Sequence, residues 1–264
     1  MIHRVGFHQA TLNAVSEGSG IPLVLLHGYL ESLTIWDDFA VTMKDHFRVI
    51  RMDLPGHGES GSISEIHTME IMAESVMAVL LALSVDTCFM VGHSMGGYVA
   101  LAVAEQHQEK LRGICLFHST PFSDTEEKKG NRDREIEMVR QGKKDLIVRV
   151  NIPKGFADDN LEKFHSDVER AKTIALATPD EGIIAALEGI KQRPDRSRIM
   201  EEITIPLLWI LGRKDNYINF QSAKEKINLN GMGKLVILDN SGHMGFMEER
   251  KDSAAHLISF SHNI

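Results

Sequence analysis

Short apolar runs of strand length alternate with helical segments along most of this chain. Residues 21–26 form a continuous apolar run, which is typical of a strand buried on both faces of a parallel sheet. Residues 68–83 carry apolar side chains at spacings of three and four, which predict a helix. The alternation predicts an α/β fold with a mostly parallel, eight-stranded sheet flanked by helices. The predicted strands lie at residues 5–7, 12–15, 21–26, 47–52, 87–91, 111–117, 205–211 and 235–238.

The pattern changes after the sixth predicted strand. From 119 to 200 the sequence is charged, its apolar residues follow helical spacing, and no strand-like run occurs. Within this segment, Thr178-Pro179-Asp180-Glu181 has the arrangement of a capping box, which predicts a helix over 181–190. We therefore expect a core domain made of residues 1–118 and 201–264, with residues 119–200 inserted as a helical cap.

Composition restricts the classes of partner. The chain has 264 residues and a formal net charge of −8, whereas nucleic-acid binding requires a basic surface. It has two cysteines, Cys88 and Cys115, which do not make a disulfide framework. The first residues lack the apolar core of a secretory signal, and no apolar run approaches the roughly 18 residues that span a bilayer. We expect a cytoplasmic protein without a nucleic-acid or membrane partner.

The segment Gly92-His93-Ser94-Met95-Gly96-Gly97 lies between a predicted strand and a predicted helix. A nucleophile on a sharp strand-to-helix turn needs small neighbours, because the backbone there is strained and closely approached. The N-terminus of the following helix also favours the negative charge that develops during attack. Ser94 is therefore the candidate nucleophile.

A serine hydroxyl needs a base, and the base needs an acid that orients it. His243 follows the last predicted strand and Asp215 follows the seventh, so both should lie at the carboxyl edge of the sheet with Ser94. The chain order serine, aspartate, histidine is the order expected when a nucleophile turn stands on a parallel α/β sheet of this kind. Asp124 also follows a strand and is the reserve candidate for the acid, with Asp239 as a weaker one.

An oxyanion hole needs two backbone N–H groups directed at the tetrahedral oxygen. One is expected from Met95, directly after the nucleophile, and the other from Tyr29 in the loop after the third predicted strand. Substrate contacts are expected from His118 and Phe122, which begin the predicted cap, and from Met244. His93 is expected to pack beneath the turn, and the charged runs 126–129 and 132–137 to form a solvated helix face.

Taken together, these segments resemble the α/β-hydrolase superfamily, and most closely its small esterase, lactonase and C–C hydrolase branch. The resemblance is carried by His27-Gly28, by the turn from Asp53 to Ser60, by the serine motif, and by the surroundings of Asp215 and His243. It implies Ser94 as nucleophile, Asp215 as acid and His243 as base, with oxyanion donors at Tyr29 and Met95. It implies a structural role for the 53–60 turn. The related haloalkane dehalogenases carry an aspartate nucleophile, so that activity is not expected.

The sequence thus predicts a serine hydrolase that cleaves a small-molecule carboxylic ester through an acyl-enzyme. The same triad also serves lactones, thioesters and carbon–carbon bonds, and a ligand receptor that retains a slow triad is a third hypothesis. No metal-ligand or phosphate-binding motif is present, so no cofactor is expected.

Overall fold

A computed structural model describes residues 1–264 and contains one eight-stranded sheet. Its strands are β1 Ile2–Phe7, β2 Ala10–Gly18, β3 Pro22–Leu26, β4 Arg48–Met52, β5 Cys88–His93, β6 Leu111–Phe117, β7 Leu207–Gly212 and β8 Gly233–Leu238. Their spatial order is β1-β2-β4-β3-β5-β6-β7-β8. Strand β2 runs antiparallel to both β1 and β4, and all other neighbours are parallel. The predicted mostly parallel, eight-stranded α/β sheet is confirmed.

The central strands are buried on both faces, as their unbroken apolar sequence requires. In β3, Val24 and Leu26 belong to one apolar cluster, whereas Leu23 and Leu25 belong to another. Successive side chains of a strand point to opposite faces, so these two clusters are the two halves of the core. Helices α2 Met69–Ala82 and α3 Met95–Gln106 cover the first face.

The second face is covered by helices α1 Asp37–Met43 and α11 Arg250–Ser261. Two further short helices near the end of the chain are α9 Phe220–Glu225 and α10 Gly245–Glu248. Single 3-10 turns occupy Leu33–Trp36, Gln108–Lys110 and Asp158–Asn160. No helix combines the length and the apolar character that crossing a membrane would require. Cys88 and Cys115 are buried free thiols.

Five helices lie between β6 and β7, and we call them the inserted helices. They are α4 Glu126–Arg140, α5 Lys144–Lys154, α6 His165–Ala177, α7 Asp180–Gln192 and α8 Ser197–Glu202. Helices α4 to α7 share a small apolar cluster of their own, which also includes Leu30 from the loop after β3. This contact seats the inserted helices over the carboxyl edge of the sheet.

The capping box predicted for α7 does not form. The helix begins at Asp180, its N-cap is Pro179, and no side chain caps it. The hydroxyl of Thr178 turns back to the carbonyl oxygen of Ile174 instead. The preceding helix α6 ends one residue before Thr178, so this side chain bonds to the carbonyl that α6 leaves free.

Chain order places a crevice at the carboxyl ends of β3 and β5. After β3 the chain continues to β4 on one side, and it returns to β5 on the other side of β3. In open α/β sheets, ligands bind where the strand order reverses in this way. The loop after β3 and the turn after β5 therefore face each other at this crevice.

Candidate active site

Ser94 occupies a strained turn between β5 and α3. Its φ is 48°, a left-handed value that is costly for a residue with a side chain. The turn is held because the Ser94 amide donates to the carbonyl of Phe117 at 3.1 Å, and the Ser94 carbonyl accepts from the Ser119 hydroxyl at 2.7 Å. These bonds fix the backbone, so the Ser94 side chain is held at the carboxyl edge of the sheet.

Three glycines leave the space that this turn needs. A Cβ atom on Gly92 would collide with the carbonyl oxygen of Gly96, and one on Gly96 would collide with that of Leu26. A Cβ on Gly97 would collide with the hydroxyl of Ser119. Backbone atoms cannot move aside as side chains do. Glycine is therefore needed at these positions because β3, β5 and α3 approach one another closely around Ser94.

His243 and Asp215 are hydrogen bonded at the same edge. The His243 Nδ1 atom lies 2.7 Å from the Asp215 Oδ2 atom. The other carboxylate oxygen of Asp215 accepts from the backbone amides of Tyr217 at 2.7 Å and Ile218 at 3.0 Å. Since a carboxylate only accepts, Nδ1 carries the imidazole proton and Nε2 is left as a base.

The electrostatics of this pair favour its charged form. Burial opposes charge on both groups, but each is stabilised by the other's charge and by their hydrogen bond. The pKa of the Asp215 carboxyl therefore lies below its usual range, and the pKa of His243 lies above the 6.5 of a free imidazole. The Asp215 carboxylate is therefore placed to stabilise the His243 imidazolium once His243 has accepted a proton.

Ser94 and His243 line one cavity of about 540 Å³. Tyr29, Met95 and Met244 also line it, and the inserted helices supply most of the opposite wall. This is the volume of a small-molecule site, so the reactive side chains open onto a space suited to a small substrate.

Two backbone amides at this cavity lack a protein acceptor. The Met95 N–H is the first of α3, where a helix leaves its amides unpaired, and the Tyr29 N–H lies in the loop after β3. This loop is fixed by the left-handed Leu30, with φ of 62°, and by Glu31, whose carboxylate accepts from the Gly28 amide at 2.5 Å. The structure thus brings together the two residues predicted as oxyanion donors.

The family model of the alpha/beta hydrolase fold matches residues 21–250 of this chain. The chain belongs to the α/β-hydrolase family. The predicted resemblance and the predicted enzyme class, a hydrolase of this type, are both confirmed.

Several known proteins are similar to nearly the whole of this chain. A pimeloyl-[acyl-carrier protein] methyl ester esterase of Vibrio cholerae is 26% identical, covering 92% of this chain and 95% of that protein. The acetyltransferase component of an acetoin cleaving system from Pseudomonas putida is 27% identical over 91% of this chain, but this region is 63% of that protein. The solved structure of a thermophilic esterase from Thermogutta terrifontis is 27% identical with a TM-score of 0.92, covering 99% of this chain and 98% of the other.

His118 does not line the cavity, contrary to the prediction that it contacts substrate. It has φ of 46° and is fully buried, with its Nδ1 atom 3.6 Å from the Asp215 Oδ2 atom. Burial lowers the pKa of His118 to about 4, so the ring is neutral behind the carboxylate. Phe122 is also absent from the cavity wall, since it packs against the larger core cluster with Lys226 above its ring. Of the three predicted substrate contacts, only Met244 faces the cavity.

The reserve acids lie elsewhere. Asp124 is buried between Arg132 and Arg193, at 3.2 and 3.0 Å, and Asp239 pairs with Arg213 at the surface. Neither contacts His243, whereas Asp215 does. The 53–60 turn has the expected structural role, because the Asp53 carboxylate accepts from the Glu59 amide of its own turn and from the Leu33 amide of the loop after β3.

His93 lies under the turn and connects three parts of the site. Its Nε2 atom donates to the carbonyl of His243 at 2.9 Å, and its Nδ1 atom lies 3.0 Å from the carboxylate of Glu31. Glu31 in turn holds the loop that carries Tyr29. A cluster of His118, Asp215 and His243 also has the spacing of metal ligands, but the hydrogen bond between Asp215 and His243 accounts for that spacing.

Sequence reasoning missed several residues of the cavity wall. Tyr217 packs edge-on against His243, with 5.2 Å between the ring centroids. Arg132 and Glu135 of α4 face the cavity rather than solvent. The expectation of a solvated helix face over 132–137 is therefore wrong at these two positions. Helical spacing carried the signal, because Arg132 and Glu135 each precede a buried apolar residue, Ile136 or Val139, by four positions.

Proposed function

We propose that this protein hydrolyses small carboxylic esters through an acyl-enzyme on Ser94. The observation that carries the proposal is the 2.7 Å hydrogen bond between His243 and Asp215, made beside a cavity that the strained Ser94 also lines. The nucleophile, the base and the acid then have the roles that acyl transfer requires.

In the first step the Ser94 hydroxyl attacks the acyl carbon while His243 Nε2 takes its proton. Asp215 holds the opposite ring nitrogen and stabilises the imidazolium that forms. The raised pKa of His243 agrees with this role, since it reports the same charge interaction in the resting protein.

Negative charge develops on the carbonyl oxygen as the tetrahedral intermediate forms. The free amides of Tyr29 and Met95 are the donors for that oxygen, and the N-terminus of α3 adds its positive end. Neither amide has to break a bond to the protein first, so this stabilisation costs no rearrangement.

The second half of the reaction returns the proton. His243 protonates the departing alcohol, then removes a proton from water as that water attacks the acyl-enzyme. Collapse of the second intermediate releases the carboxylic acid and restores the Ser94 hydroxyl. Water is thus added across the ester bond, and no co-reactant is needed.

We assign residues 119–200 the role of a cap that limits substrate size. The inserted helices form the wall of the cavity opposite Ser94, and Met244 lies on the wall next to His243. Two of the relatives named above are esterases, which favours an ester over a lactone, a thioester or a carbon–carbon bond.

The test is turnover of 4-nitrophenyl acetate by the native protein, Ser94→Ala and Ser123→Ala. Ser123 is exposed and has no hydrogen-bond partner, so it is the matched control. We expect Ser94→Ala to lose about 10⁴-fold or more in kcat, and Ser123→Ala to lose nothing. Unchanged turnover by Ser94→Ala would contradict the proposal. Simple lactones and thioesters assayed beside esters then decide among the bond types.

A further inference from the structure

The cavity wall is positively charged although the protein is negatively charged. The chain has a net charge of −8. Four cations nevertheless line the cavity, against two carboxylates, Glu31 and Glu135; the cations are Lys128, Arg132, Arg134 and Lys154. Glu31 lies deep in the site and is paired with His93. The outer part of the cavity, formed by the inserted helices, therefore carries a clear excess of positive charge.

Arg132 is the most constrained of these cations. Its side chain is 23% exposed, and its Nε atom donates to Asp124 at 3.2 Å. The other oxygen of Asp124 forms an ion pair with Arg193 at 3.0 Å, so one buried carboxylate is shared by two guanidinium groups. The two terminal nitrogens of Arg132 make no hydrogen bond to the protein. A guanidinium held by Nε with its terminal nitrogens free presents the fork that binds a carboxylate in two places.

The other cations extend this field toward the reaction centre. Lys128 and Arg134 have no carboxylate within salt-bridge distance. The ammonium of Lys154 lies 4.9 Å above the ring of Tyr217, which itself packs against His243. A ligand that reaches from Ser94 to α4 therefore passes cations whose charge no protein carboxylate neutralises.

Glu135 is the outer carboxylate of this wall, and the protein itself engages it. One of its oxygens accepts from the Asn151 amide at 3.0 Å. The Tyr29 hydroxyl faces the same carboxylate, and burial together with this carboxylate raises the pKa of that hydroxyl well above its usual range. Glu135 therefore offsets only part of the positive charge that the four cations bring to the wall.

We propose that this wall binds a free carboxylate on the substrate, so that the preferred esters are monoesters of small dicarboxylic acids. This inference rests on the proposed function, because it names the substrate class of the same site. Hydrolysis then adds water to the one ester bond, releasing the alcohol and a dicarboxylate. The carboxylate that was free throughout stays bound to Arg132, and the rim cations attract it from solution.

The test compares two 4-nitrophenyl esters of equal acyl length. One is mono-4-nitrophenyl adipate, which carries a free carboxylate, and the other is 4-nitrophenyl hexanoate, which is neutral. The measured quantity is the ratio of their kcat/KM values, charged over neutral. We expect Arg132→Gln to lower this ratio by about 10- to 100-fold, which is the usual effect of losing a charge-assisted bidentate contact. An unchanged ratio would overturn the proposal.

Arg140→Gln is the matched control. Arg140 lies on the same helix, is exposed, does not line the cavity and has no ion-pair partner. The Arg140→Gln substitution removes the same charge from α4 as Arg132→Gln, so an effect of overall charge would appear equally in both variants. We expect the ratio in Arg140→Gln to match that of the native protein, and a fall equal to that of Arg132→Gln would contradict a specific site.

The native protein supplies a second measurement that does not depend on the folding of a variant. Raising the salt from 0.05 to 0.5 M shortens electrostatic range, so kcat/KM for the adipate ester should fall by about threefold or more while that for the hexanoate ester holds. Equal salt dependence of the two esters would overturn the proposal. Failure of the proposed function is distinguishable, because the native protein would then hydrolyse neither ester.

Discussion

The carboxyl edge of the sheet and the inserted helices contribute to one cavity in different ways. At the sheet edge, Ser94, Asp215 and His243 are each held by backbone bonds or by one another, in loops whose places follow from strand order. In the inserted helices, residues such as Arg132 reach the cavity by the face of a helix they occupy. The backbone of the sheet edge thus positions the residues of the proposed reaction. The side chains that the inserted helices turn toward the cavity determine which substrates fit it.

The largest expected effect on activity comes from replacing the Asp215 carboxylate at the sheet edge. Asp215→Asn should lower kcat/KM for 4-nitrophenyl acetate by about 10⁴-fold, because an amide donates where His243 needs an acceptor and so favours the wrong tautomer. Asp239→Asn is the matched control, since Asp239 follows β8 and pairs with Arg213 at the surface. Steady-state kinetics on both variants check this. Similar losses in both would show that Asp215 has no special role.

One substitution, glycine to alanine, should act oppositely in two helices. In α3, Gly96→Ala should lower the free energy of unfolding by about 2 kcal/mol or more, because its Cβ collides with the carbonyl of Leu26. In α4, Gly130→Ala should raise that free energy by about 1 kcal/mol, because a Cβ on Gly130 would make only an ordinary contact, 4.0 Å from the Arg134 side chain, and alanine favours a helix. Urea unfolding measures both values. A stabilising Gly96→Ala would mean that the turn at Ser94 is not tightly packed.

The pH profile should separate His243 from the other buried histidines. Activity requires neutral His243, so kcat/KM should fall as the pH drops through its pKa, which lies above 6.5. Asp215→Asn removes the charge that raises this pKa but leaves the burial that lowers it. The acid limb of the residual activity should therefore move to lower pH. Asp239→Asn should leave the limb in place, and an unshifted limb in Asp215→Asn would argue against coupling to His243.

The sheet was predictable because its signals are local and repeat. Strand-length segments rich in apolar residues located all eight strands, and the rule that parallel strands share a carboxyl edge then grouped Ser94, Asp215 and His243. A position directly after a strand did not suffice to predict that His118 and Phe122 would contact substrate. Both follow β6 at the same edge, yet the left-handed backbone at His118 places its ring behind Asp215, and the half-buried Phe122 packs against the core.

The wall formed by α4 was predictable in principle from the periodicity of its apolar residues. Two of its residues, Ile136 and Val139, pack inward, and Arg132 and Glu135 share their face. The polar composition of the charged run predicts a solvated face, but the apolar residues on the same face of the helix determine which way Arg132 and Glu135 point. The capping box predicted at Thr178 also fails because of a neighbouring element: a free carbonyl at the end of α6 binds the hydroxyl that would have capped α7.

The central claim is that Ser94 is the nucleophile of an ester hydrolase, and covalent labelling tests it most directly. The native protein would be treated with a fluorophosphonate and digested, and the modified residue located by mass spectrometry. We predict one phosphonate per chain, attached to Ser94, with no adduct in Ser94→Ala and no ester turnover remaining after labelling. An adduct at another residue, or full turnover by a protein that does not label, would contradict the account.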